Sequence, residues 1–78
     1  MLVQDLNWIA VDTLRCTIRV KVKIRSRANL ASAELVPINA GVRVIFDYAQ
    51  KGIAPGQAAV FYEEEKVFGA GIISNIEE

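Results

Sequence analysis

From Leu14 to Arg25 the chain alternates without a break, with Leu14, Cys16, Ile18, Val20, Val22 and Ile24 set against Arg15, Thr17, Arg19, Lys21, Lys23 and Arg25. An extended backbone sends successive side chains to opposite faces, so a period of two predicts a strand with one apolar and one basic face. Helical spacing would scatter the charges around the axis. Twelve residues at about 3.3 Å each would reach roughly 40 Å, longer than most strands, so a bend or bulge is expected within the segment.

Shorter apolar runs, bounded by turn residues, predict further strands at about 6–11, 31–36, 42–47, 57–62 and 66–73. The punctuation is Asn39-Ala40-Gly41, Lys51-Gly52, Pro55-Gly56 and Glu63-Glu64-Glu65-Lys66. No stretch carries a capped 3.6-residue period, which makes the fold class all-β. Six short strands in one small domain are expected to close into an antiparallel β-barrel, because closure removes the edges that invite aggregation.

Two turn and packing features have specific chemistry. Pro55 presets the first dihedral of a type II turn, and Gly56 accepts the positive φ that the next position demands, after which the chain runs extended. Gly69 and Gly71, two apart in a strand, face the same side and leave room for another chain or a bulky ring. Trp8 is expected to lie there or over one mouth of the barrel.

Length and composition narrow the function classes. Seventy-eight residues make one small domain, and 53% hydrophobic with 23% charged residues is the composition of an ordinary globular chain. The opening MLVQDLNWIAV has no basic leader, and no apolar run approaches the roughly 18 residues of a membrane span, so the expected location is cytoplasmic with no membrane partner. The stop five residues after Ile73 reads as a natural C-terminus, and Met1 as a start placed upstream of Leu6. Cys16 is the only cysteine and histidine is absent, which removes internal disulfides and zinc ligation. Its place in the apolar row makes Cys16 a packing residue, with a cost of about 1–2 kcal/mol expected for Cys16→Ser. Gly69-Ala70-Gly71 has no following helix and is no dinucleotide loop. The run Glu63-Glu64-Glu65 points in several directions and reads as a solvated turn rather than a metal site.

Charge is balanced at nine basic and nine acidic residues, but it is unevenly placed. Residues 1–43 hold seven basic side chains against three acidic ones, and the rest two against six. Between positions 15 and 27, six of the seven odd residues are basic, with Thr17 the exception. A solvated strand face would look much the same. An unrelieved row of like charge is nevertheless destabilising unless acidic strands flank it or a polyanion meets it, which makes Arg19, Lys21, Lys23, Arg25 and Arg27 the candidate nucleic-acid contacts. Phe61 and Tyr62 must face opposite sides, so one lies outside the barrel, where it would stack on a base, lie under a loop or, as the preferred reading, pack on another domain.

Three segments carry a family resemblance: LNWIAV at 6–11, LRCTIRVKVKIRSR at 14–27, and APGQAAVFY at 54–62 with FGAGII at 68–73. In order and spacing they resemble the C-terminal domain of tRNA-specific 2-thiouridylases. The PGQ turn alone also resembles the second-domain barrel of translation elongation factors. The chain departs from the 2-thiouridylase pattern in having fewer consecutive glycines near its end, and the run of glutamates where an acidic-glycine turn is usual.

The resemblance implies that residues 1–78 are one barrel domain of a larger enzyme, which uses ATP to activate the wobble uridine of tRNA and delivers sulfur from a cysteine persulfide. ATP and the reactive cysteines would belong to preceding catalytic and central domains, which become partners alongside tRNA. This chain alone is then expected to turn over neither. A translation-factor-like barrel serving as a structural or protein-interaction module is the alternative.

Overall fold

A computed structural model describes residues 1–24 and 29–76. It is all-β, with six strands: β1 (Leu2–Trp8), β2 (Ile18–Ile24), β3 (Ala31–Ile38), β4 (Gly41–Phe46), β5 (Ala58–Glu63) and β6 (Lys66–Asn75). They close into a barrel in the order β1-β4-β3-β2-β5-β6, with every neighbouring pair antiparallel.

The alternation in β2 does what its period dictates. Val20, Val22 and Ile24 enter the core, while Arg19 and Lys21 are exposed and Lys23 half-buried. The strand starts at Ile18, however, four residues later than the pattern predicts. Alternation reports which way side chains face, whereas a strand also needs partners. On one side the ladder to β3 stops at the Ile18–Leu35 pair, two residues short of Pro37, which has no N–H to donate. On the other, the ladder to β5 begins only at the Lys21–Tyr62 pair, next to the end of that strand. Leu14 still packs against the core from the connection before β2.

β1 also differs from its expected span of 6–11. Gln4 pairs with Ile72 and Asn7 with Ala70, so three steps in β1 oppose two in β6, and the extra residue forms a bulge in which Asp5 takes φ +52°. The bulge resets which side chains face inward, and a uniform period-two reading therefore misses the buried Val3 before it.

The core is filled by Val3, Val22, Leu35, Val42, Val44, Phe61 and Ile73, all essentially inaccessible. Trp8 adds to it from one side, its ring 6.1 Å from that of Phe61 and edge-on to Phe68 at 5.7 Å. The indole lies over Gly69, where a Cβ would come within 2.5 Å of the ring. A Cβ on Gly71 would meet Val3 at the same 2.5 Å.

The Pro55-Gly56 turn closes through the Gln57 N–H, which donates to the Ala54 carbonyl at 3.3 Å, and Gly56 has φ +93°. Its own N–H donates to the Ile73 carbonyl at 2.7 Å, tying the turn to β6. No atom lies within 4 Å of where a Gly56 side chain would start, so a substitution there reads backbone strain alone. Gly56→Val is expected to lower the melting temperature by about 5–10 °C, the effect of roughly 1–2 kcal/mol on a domain this small. A thermal melt followed by circular dichroism measures it, and an unchanged midpoint would show that the turn relaxes to another type.

Candidate nucleic-acid interface

The outward row on β2 is set by the register of its neighbours. Arg19 lies opposite Glu34 and Lys21 opposite Ser32 on β3, while on β5 Lys21 lies opposite Tyr62 and Lys23 opposite Val60. The β4 chain continues into Asp47, whose N–H donates to the Ser32 carbonyl at 3.0 Å. That bond brings the Asp47 carboxylate within 2.5 Å of the Arg19 guanidinium. The pair is solvent-exposed, a setting in which such bridges contribute about 0–1 kcal/mol.

The basic row is therefore not one unrelieved strand face. Arg15 lies outside β2, in the connection before it, and Arg19 is neutralised by Asp47 with Glu34 alongside. Arg25 and Arg27 fall outside the described residues. Among the described residues Lys21 and Lys23 make no ion pair, and they stand on adjacent same-face positions about 6.6–7 Å apart, near the spacing of successive phosphates.

Lys21 borders a shallow depression of about 270 Å³, lined also by Arg19, Ser32, Tyr62, Glu63 and Glu64. Tyr62 is the outward aromatic of the Phe61–Tyr62 pair, half-buried, with Phe61 fully inside. The acidic turn expected to be merely solvated thus forms one wall of this depression. Glu64 sits at the first turn position with φ +58°, a conformation glycine accepts more readily. Sequence reasoning missed Asp47 as the partner of Arg19. The signal available was the acidic residue immediately following the β4 alternation.

Cys16 departs from expectation as well. It is exposed and unpaired in the connection before β2, because the strand that would have turned it inward begins two residues later. Cys16→Ser is accordingly expected to leave the melting temperature within about 4 °C, since surface substitutions are usually worth less than ±0.5 kcal/mol. Rapid labelling of the native thiol by a disulfide reagent is the companion measurement. Slow labelling together with a clear loss of stability would restore the buried assignment.

Comparison with known proteins adds an independent line. Residues 1–73 match the family described as the aminomethyltransferase beta-barrel domain. The tRNA-specific 2-thiouridylase MnmA of Acetivibrio thermocellus is 49% identical over 70 residues, covering 88% of this chain and 20% of the relative. The protein of the same name in Clostridium beijerinckii is 44% identical over 77 residues, covering 97% and 22%, and that of Clostridium botulinum 47% over 73 residues, covering 92% and 20%. The chain spans about a fifth of the length of the curated relatives it matches.

Proposed function

Because this chain belongs to the aminomethyltransferase beta-barrel domain family, as the C-terminal barrel of the tRNA-specific 2-thiouridylases, we propose that it serves such an enzyme as an accessory domain that contacts tRNA. The observation that carries the tRNA contact is the pair Lys21 and Lys23, two neighbouring outward ammonium groups on β2 with no carboxylate partner among the described residues. ATP and the sulfur carrier act in the other domains of a cytoplasmic parent enzyme. The barrel's part is to hold the polyanion while chemistry proceeds elsewhere.

Lysines aimed at phosphates position a nucleic acid without reading its sequence. In a grafted enzyme, made by putting this chain in place of the matched segment of the Acetivibrio thermocellus relative, Lys21→Ala and Lys23→Ala are each expected to weaken several different tRNAs about equally, by several-fold. The measurement is tRNA affinity for the grafted enzyme and its two variants. Equal affinity for variant and wild type would return β2 to a solvated face and the barrel to a structural module.

A further inference from the structure

The outward face of β5 and β6 differs from the rest of the barrel wall. Three successive cross-strand pairs, Ala58–Ile72, Val60–Ala70 and Tyr62–Val67, are apolar on both members. Each of the six is flanked by an inward residue, such as Ala59, Phe61, Phe68, Gly71 or Ile73, so between the polar Glu63–Lys66 pair at one end and Ser74 at the other both faces of these strands are hydrophobic or aromatic. A strand with one wet face alternates polar with apolar, and continuous apolar runs belong to strands covered on both sides. Ile72 and Val67 nevertheless remain 38% and 36% exposed.

The wall elsewhere is polar or mixed. The outward pairs between β2 and β3 are Arg19–Glu34 and Lys21–Ser32, and those between β3 and β4 include Glu34–Ile45 and Val36–Arg43. Lys21 and Lys23 border the apolar strip along one side, Gln4 and Asn7 along the other. An apolar centre inside a polar rim is the anatomy of a protein interface.

From this geometry we infer that the outer face of β5–β6 is the surface on which the remaining domains of the parent enzyme dock. The inference rests on the reading of the chain as an accessory domain, and not on tRNA contact. Two observations favour that occupant over a second copy. Some four-fifths of each relative's length lies outside the matched segment, so a large partner is present in the same molecule. The barrel is C-terminal in those enzymes, so the rest of the chain enters through β1, whose Leu2 and Gln4 pair with Asn75 and Ile72 of β6. The tether thus delivers the upstream domains beside the strip, where linkage in one chain makes docking intramolecular.

The grafted enzyme tests this with Val60→Glu and Ile72→Glu on the strip and Ile45→Glu on β4, an exposed isoleucine away from it. Small-angle X-ray scattering reads compactness, and the rate of proteolytic cleavage at the junction reads release of the barrel. Both strip variants are expected to enlarge the particle and speed cleavage at least tenfold, while Ile45→Glu changes neither. If the glutamates unfold the barrel, Val60→Thr and Ile72→Thr, which keep strand preference, are expected to speed cleavage in the same direction. Unchanged cleavage in the strip variants, an effect confined to Ile45→Glu, a wild-type graft whose barrel is already detached, or a dimer that Ile72→Glu splits would each overturn the inference. Because tRNA affinity is read at Lys21 and Lys23, failure of the tRNA reading and failure of the docking face are separable.

Discussion

Gly41→Ala is expected to leave little folded barrel. Gly41 opens β4 with φ +150°, and a Cβ there would lie 2.1 Å from the carbonyl oxygen of Val3, a backbone atom that cannot step aside without moving β1. Backbone strain of about 1–3 kcal/mol adds to an overpacking penalty of similar size. A domain of this length has roughly 4–12 kcal/mol in all. The melting temperature should therefore fall by about 15 °C or more, and protein that is already unfolded at room temperature is an acceptable extreme. A melt within about 3 °C of wild type would show that β1 and β4 do not approach as described.

Gly71→Ala is the second large effect. Its Cβ would meet the Val3 side chain at 2.5 Å, the Gln4 carbonyl oxygen at 2.7 Å and the Leu6 side chain at 2.9 Å, all on β1. At Gly69 the first obstacle is instead the Trp8 ring at 2.5 Å, a side chain able to swing at some cost to its packing. Gly71→Ala should cost about 3 kcal/mol, the upper end for an added methyl in a packed interior, and Gly69→Ala less. Urea midpoints for the two variants check the order, and the reverse order would mean that the β1–β6 contact yields more easily than the indole.

These two glycines also mark how far the sequence could be read. Gly69 and Gly71 are legible as a close-approach pair because strand spacing puts them on one face, and the tryptophan that exploits the space is unique in the chain. Gly41 is visible only as a turn residue, since its clash is with Val3, distant in sequence and brought near by barrel closure. The face of β2 follows from strict alternation. Its start does not, because strand pairing depends on Pro37 within β3 and on where β5 ends, and Cys16 faces solvent through that difference.

The candidate site shows the same division. Lys21 and Lys23 are named by the period-two pattern, but the neutralisation of Arg19 by Asp47 requires tertiary register. Likewise Phe61 and Tyr62 are known from their adjacency to face opposite sides, while which of them is outward, and the row of pairs it joins, emerges only when the barrel closes and β5 is aligned with β6. In each case local periodicity gives facing, and the sheet supplies company.

If β2 meets tRNA phosphates, binding must weaken with salt in proportion to the contacts made. Each phosphate contact releases condensed counterions, so the logarithm of affinity falls with the logarithm of salt by roughly 0.7–0.9 for every contact made. Affinity of the grafted enzyme for tRNA should be measured at several salt concentrations beside Lys21→Ala, Lys23→Ala and the double variant, with circular dichroism confirming the fold. The slope is expected to be flatter by about one unit in each single variant and by about two in the double. Identical slopes and affinities in folded variants would contradict it.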